Sequence, residues 1–359
     1  MGLERQFAFW AAALAVFVAV VWLLSDVLLP FVAGMVLAYL LDPVARRAER
    51  LGISRGVSAL TIVTVVIVAL VVIGMAVAPI VAQQFVAFID DLPGYLAKLQ
   101  SLVADPSRPW LNKIFGSQLP DADKSAGGLV TQGSGFITGF LASLWTGGRA
   151  VFSVLSLLII TPVVAFYLLL DWDRVVATVD SWIPLPHRPT VHELARDIDS
   201  AIAGFVRGQA VVCLCLAAFY AIGLTLTGLN SGFLIGLMTG ILSFIPFVGA
   251  VSGFLIAAIV AIAQFWPNWT SILMVVAVFV IGQGLEGYVL SPKLVGAKVG
   301  LHPVWMMFSL LAFGYLLGFI GLLIAIPLAA SIAVLLRFAV RKYQESPIYT
   351  GRNPDLGPR

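Results

Sequence analysis

Charge is what this sequence has least of. Asp, Glu, Lys and Arg make up 11% of its 359 residues, against roughly a quarter in typical soluble domains. With hydrophobic residues at 60%, a chain this long cannot build a water-facing surface. The net charge of +3 is small, and the basic residues lie in loops beside apolar runs. That placement follows membrane topology and excludes a nucleic-acid-binding face. Cysteine is scarce too: only Cys213 and Cys215 occur, in one apolar segment. Two residues apart on a helix they point in well-separated directions, which makes a disulfide between them geometrically poor. No His or acid lies near enough in sequence to complete a metal site, so both read as lipid- or core-facing packing residues. The three histidines, His187, His192 and His302, are scattered over loop or boundary positions, so neither a metal triad nor a hydrolase triad is supported. No GxxxxGK[ST] run exists, so the chain does not use ATP by itself. Neither enzymatic activity nor a cofactor is expected.

What the sequence has is long apolar runs. A helix needs about 20 apolar residues to cross the hydrocarbon core. Phe7–Leu24, Val27–Leu41, Val57–Ile80, Ala150–Leu170, Gln209–Thr227 and Thr270–Leu290 qualify as spans. The first follows Glu4 and Arg5, lacks a small-residue cleavage site and runs into Ser25-Asp26, so it reads as an uncleaved helix. Two further stretches, Asn230–Gln264 and Pro303–Leu336, are too long for one crossing. Pro246 and Gly249 interrupt one, and Gly314, Gly318, Gly321 and Pro327 interrupt the other. Halved, each gives segments of about 16 residues, roughly 24 Å of helix, marginal for a crossing. The fold class expected is an all-α integral membrane protein with about six full transmembrane helices plus two Gly/Pro-broken helical hairpins, re-entrant or fully spanning. Broken backbone at membrane depth is tolerated only beside protein or a wet cavity, which makes the hairpins candidates for a solute site.

Arg46, Arg47, Arg50 and Arg55 mark their connection as cytoplasmic. Counting spans puts both termini inside, Pro79–Arg149 outside, and Trp172–Arg207 and Lys293 inside. Trp22, Trp145, Trp172, Trp182, Trp266 and Trp269 all sit near span ends. Outside, Phe85, Phe88, Ile89, Leu92, Leu96, Leu99 and Val103 recur at helical spacing, predicting an amphipathic helix bent at Pro93. Asp121–Gly139, rich in Gly, Asp and Ser, reads as a loop. Inside, Thr190-Val191-His192-Glu193 predicts a capping box that opens a second amphipathic helix, with Arg196, Asp197 and Asp199 on its wet face. The organisation expected is 1–80 for the first three spans, 81–149 extracytoplasmic, 150–170 for the fourth span, 171–207 cytoplasmic, 208–338 a transport core, and 339–359 a tail.

Within that core, Gly208-Gln209 recurs as Gly282-Gln283, and Phe247-Val248-Gly249 recurs as Phe319-Ile320-Gly321. Each unit is a crossing helix followed by a broken hairpin. The two begin on opposite sides, an inverted repeat with its site near the midplane. Glu286 is the one acid well inside a predicted span. A buried carboxylate there marks an ion path or a structural pairing, for instance with Lys293 or Arg207. Gln209 and Gln283 can hydrogen-bond a polyhydroxylated solute, or serve as interhelical glue. Asp171 and Asp173 read as an interfacial stop. Gly232, Gly236 and Gly240 form a small-xxx-small series suited to close helix packing.

The stretch Gly284-Leu285-Glu286-Gly287-Tyr288-Val289-Leu290-Ser291-Pro292-Lys293-Leu294-Val295-Gly296, with Val299-Gly300-Leu301-His302-Pro303, resembles the signature of the autoinducer-2 exporter-like transporters. Ala325-Ile326-Pro327-Leu328, Ile245-Pro246-Phe247-Val248-Gly249 and Arg207-Gly208-Gln209 are similar to further elements of that family. Many of its members carry Asn where this chain has Gly287. The resemblance implies a multi-pass transporter of a bacterial cytoplasmic membrane that forms homo-oligomers and has the lipid bilayer as its surroundings. Some relatives export a quorum-sensing furanosyl signal, and others exchange Na⁺ or Li⁺ for protons. The leading expectation is therefore a secondary transporter exporting a small polar solute. Its site is expected between Pro246–Gly249 and Gly318–Gly321, with Gln209 and Gln283 as hydrogen-bonding groups and Glu286 as coupling group. Arg207, Gly208, Pro292, Lys293, Gly296, His302 and Pro303 are structural candidates. The alternatives are a cation/proton antiporter and a non-transporting membrane scaffold.

Overall fold

Apolar runs with no water to hydrogen-bond their backbone must satisfy it internally, and helices do so within one segment. The computed structural model describes residues 25–103, 148–296, 300–346 and 349. Among these, all regular structure is helical: α1 (Ser25–Arg50), α2 (Arg55–Val103), α3 (Gly148–Ser181), α4 (Arg188–Leu226), α5 (Gly232–Leu242), α6 (Val248–Phe265), α7 (Trp269–Gly284) and α8 (Pro303–Glu345). Six stretches of the described residues are long and apolar enough to cross a membrane: Leu28–Arg50, Arg55–Tyr95, Leu185–Leu226, Val248–Phe265, Trp269–Leu294 and Pro303–Glu345. The chain is an all-α integral membrane protein. The expected span Phe7–Leu24, the loop Asp121–Gly139, Trp22 and Trp145 lie outside the described residues.

Two expectations about helix ends need correction. The outer amphipathic stretch is not a separate helix, because α2 runs unbroken for 49 residues through Pro79 and Pro93, about 74 Å. Nor does Thr190 open a helix. A 3₁₀ turn, Leu185–His187, leads into α4 at Arg188, so Thr190 lies inside the first turn of a helix that continues as the apolar span. Pro189 supplies the start that the capping box was expected to give, since its fixed φ suits a first turn. Asp180, bonded to His192 and 3.9 Å from Arg188, ties the preceding helix to this start. The imidazole beside it holds the Asp180 carboxyl below its usual range.

The chain forms two compact units. In the unit of residues 1–63, 159–208 and 293–359, small residues let α1 and α3 meet. A Cβ on Gly34 would stand 2.7 Å from Val164 Cγ1. Arg55 binds the α3 carbonyl of Leu169 at 2.7 Å and pairs with Glu49 and Asp173, so Asp173 is an ion-pair partner as well as a stop. α1, α3 and α4 also enclose a pocket lined by Met35, Ala38, Tyr39, Asp42, Arg46, Leu168, Leu169, Trp172, Asp199 and Arg207. α8 packs on α1 and is itself broken at Gly318, where φ is 61° and ψ −140°. Residues eight apart on a straight helix are about 12 Å apart. Across Gly318, however, a Cβ on Gly314 would touch Leu322, and one on Gly321 would stand 1.8 Å from Phe313 O. At the other end Gly300 lies against Arg337. α8 is therefore a hairpin whose two arms fold back on each other.

In the unit of residues 64–158 and 209–292, α5 and α6 form another hairpin. Its mouth is closed by Gln264, which accepts from Asn230 N–H at 2.7 Å and donates to Gly228 O at 2.8 Å. Ser231, at φ 55°, makes no side-chain cap for α5. Gln84 of α2 does that work instead, accepting from Leu234 N–H at 2.9 Å. The glycine series behaves as its spacing demands. A Cβ at Gly232, Gly236 or Gly240 would fall 2.8, 2.3 and 2.1 Å from atoms of Leu224, Ala221 and Ala217 respectively. Successive turns of α5 thus meet successive turns of α4 in antiparallel order with backbones touching.

Candidate solute and ion site

Three polar groups of the second unit lie on α4. Gln209, Cys213 and Tyr220 are spaced by four and seven residues, so they share one stripe of that helix. Tyr220 is fully buried, stacked on Phe279 of α7 with ring centroids 4.9 Å apart. Gly282 presses on the same ring, since a Cβ there would be 2.5 Å from the tyrosine oxygen. Gln283 then points its amide at that hydroxyl (3.5 Å) and at Glu286 Oε2 (3.0 Å). The Glu286 carboxylate lies within Coulombic reach of Cys213 and of Tyr220. A tyrosine hydroxyl, an amide and a carboxylate meet here, with a thiol within Coulombic reach. Such a group can hydrogen-bond a polar solute and can hold or pass a proton or cation.

The backbone at this place is unusual. Beyond Gly284 the helix widens to π-helical turns over Leu285–Leu290 and again over Pro292–Gly296. π-helical turns are rare and recur at functional sites. Glu286 sits in the first of them. A Cβ at Gly284 or Gly287 would meet nothing within 4 Å, so the helix surface around the carboxylate is open on those sides. Pro292, Lys293 and Gly296 belong to the second π-helical segment. Glu286 pairs with neither Lys293 nor Arg207 among the described residues. Its partner is Gln283, and Arg207 is engaged by Asp42 (3.6 Å) and by the Tyr39 carbonyl (2.9 Å).

Gln209 serves the α5–α6 hairpin rather than Gln283. Buried beside Gly208, it donates to Ser243 O at 2.6 Å, a carbonyl at the end of α5 where the helix stops. Pro246 and Phe247 make the turn that follows, and Phe247 takes φ 69°, which a bulky residue rarely adopts. Gly249 lets α6 start against Ser243, where a Cβ would be 2.3 Å from its backbone nitrogen. Removing the amide in Gln209→Leu leaves a buried carbonyl unpaired. This is expected to cost about 1–3 kcal/mol of stability, read as a lower melting temperature in detergent. An unchanged melting temperature would remove Gln209 from this role.

In the other unit Gly318 and Gly321 form the hairpin turn of α8, and Pro327 lies in its second arm with its carbonyl accepting from Ser331 Oγ at 2.8 Å. His302 caps α8 through Nδ1, which accepts from Val304 N–H at 3.3 Å, and Pro303 takes the first helical position. Tyr220 went unmarked in the sequence, and Cys213 read there as a packing residue. Their spacing from Gln209 was the available signal, but a tyrosine and a cysteine at helical spacing also describe ordinary packing.

The profile of the AI-2E family transporters matches residues 12–341. YueF of Bacillus subtilis (strain 168), whose name calls it a transport protein, is 28% identical over 312 residues, covering 86% of this chain and 82% of its own. PerM of Escherichia coli (strain K12), whose name calls it a permease, is 29% identical over 315 residues and 87% of each chain. YhhT of the same organism, also named for transport, is 24% identical over 334 residues, 89% of this chain and 86% of its own.

Proposed function

The chain belongs to the AI-2E family of transporters, and from that premise we propose that it is a secondary carrier exporting a small polar organic solute of the autoinducer-2 type. The observation that carries the reading is the cluster of Tyr220, Gln283 and Glu286 on π-helical backbone. Hydroxyl, amide and carboxylate together supply both donors and acceptors, which a polyhydroxylated solute needs and a purely apolar path would refuse. The driving force is the solute's own gradient or protons taken up at Glu286.

The α5–α6 hairpin acts as a re-entrant element. α5 has 11 residues, about 16 Å of helix, roughly half the hydrocarbon thickness. Its mouth is fastened by Gln264 and Gln84, and its turn by Gln209. Family membership supports residence in a bacterial cytoplasmic membrane as a homo-oligomer, and the placement of the arginines supports both termini inside. A second reading, exchange of Na⁺ or Li⁺ for protons, is favoured by one observation: Glu286 has no cationic partner among the described residues.

Purified full-length protein in proteoliposomes, given a pH gradient and offered autoinducer-2, Na⁺ or Li⁺ in turn, tests both. Flux of the organic solute is expected. Cation-dependent proton movement without organic flux would replace the first reading by the second, and no flux of any of them would overturn both.

A further inference from the structure

The pocket of α1, α3 and α4 carries charges that its own residues do not use up. Asp42 takes Arg46 Nε on both oxygens, at 3.0 and 2.9 Å, and stands 3.6 Å from Arg207 Nη2. Arg207 Nε goes to the Tyr39 carbonyl, and the Tyr39 hydroxyl donates to one oxygen of Asp199 at 3.1 Å. The terminal nitrogens of Arg46, Nη1 of Arg207 and the second oxygen of Asp199 have no hydrogen-bond partner among the described residues. Two guanidiniums and two carboxylates balance, so a simple anion or a simple cation gains little net attraction. A ligand bearing both charges fits both open ends.

Position narrows the ligand. Trp172 lines the pocket at the end of an apolar run, with Tyr39 set edge-on to it at 6.3 Å. Aromatic residues at such ends sit at headgroup level in a bilayer, and pockets between membrane helices there take lipid headgroups. The remaining wall is aliphatic, with Ala38 and Leu169 buried and Met35 exposed, so an acyl chain can leave past Met35 toward the hydrocarbon. We propose that this pocket binds a zwitterionic phospholipid with a primary ammonium, its phosphate on Arg46 and Arg207 and its ammonium on Asp199 beside the ring of Trp172. Arg guanidinium is the usual partner of a phosphate oxygen, and an ammonium over an indole face gains a cation–π contact. A primary ammonium is specified because Asp199 needs an N–H donor, which a quaternary headgroup lacks.

The test uses the full chain, stripped of lipid in detergent, with melting temperature followed as lipid is added back. Phosphatidylethanolamine is expected to raise it by several degrees, because a ligand of the folded state stabilises by mass action. Phosphatidylcholine and phosphatidylglycerol of the same acyl chains are expected to leave it within error. Asp199→Asn, which still accepts from Tyr39, and Arg46→Gln, at an exposed side chain, are each expected to erase the preference. Equal protection by phosphatidylcholine, protection by phosphatidylglycerol alone, or a preference that survives both variants would overturn the proposal. An equal rise with soluble glycerophosphoethanolamine would overturn the lipid assignment.

Discussion

Gly240→Leu is expected to abolish recovery of folded protein from membranes. In a bilayer, helices gain little from hydrophobic burial against one another, so close backbone approach carries much of their association. Here a single Cβ at Gly240 would lie 2.1 Å from Ala217 Cα and 2.2 Å from Ala217 N, and both are main-chain atoms that no side-chain rotation can clear. The helices would have to part along the whole seam, and Gly236, at 2.3 Å from Ala221 N, allows no pivot one turn away. Even Gly240→Ala is expected to cost about 3 kcal/mol, the upper end for overpacking, and leucine correspondingly more. Gly74→Ala is the control. Nothing lies within 4 Å of a Cβ there, and an alanine in an exposed helix is neutral to stabilising by about 0.4–1 kcal/mol. Size-exclusion profiles and melting curves in the same detergent compare the two. A monodisperse Gly240→Leu protein melting with the wild type would contradict the packing described.

Glu286→Gln is expected to keep the fold and lose the flux. Were the carboxylate a structural ion pair, its removal would strand a buried cation and lower stability by about 3–5 kcal/mol. Among the described residues it has no such partner, only the Gln283 amide at 3.0 Å. Its replacement by an amide of the same shape should leave the melting temperature within error. Transport should fall about tenfold or more, because a charge-assisted hydrogen bond is worth roughly 1.5–3 kcal/mol and 1.4 kcal/mol is a factor of ten in rate. Gln283→Ala should fall less, since the carboxylate remains. Equal flux in Glu286→Gln and wild type would remove Glu286 from the path.

Much of this was legible in the sequence, for physical reasons that also explain what was not. Apolar runs of membrane length can only be helices, so the fold class followed from composition. Gly232, Gly236 and Gly240, four residues apart, announced a close contact without naming α4 as its partner. Helix ends were less readable. The drop in hydropathy after Ile80 and before Gln209 marks where each span is expected to end, and α2 and α4 carry their helices through those points unbroken. The polar cluster was half visible. Glu286 stood out because acids are costly in a span. Whether it met Lys293, Arg207 or Gln283 depends on how α7 turns, and the π-helical register at Leu285–Leu290 is not encoded in any spacing rule. Gln209 and Gln283 looked equivalent by repeat. One supports a hairpin turn and the other a carboxylate, a difference set by their neighbours Ser243 and Tyr220.

The central claim is that water and solute reach Glu286, and Cys213 of α4, within Coulombic reach of that carboxylate, is a native reporter. In a Cys215→Ser background Cys213 is the chain's only thiol, so a charged, membrane-impermeant thiol reagent can be followed by mass on the intact protein in proteoliposomes. The account predicts labelling of Cys213 that slows as the transported solute is added. A Cys213 that stays unlabelled in the folded protein in proteoliposomes yet reacts fully after denaturation, with or without solute, would mean that no aqueous path reaches the cluster, and would contradict it.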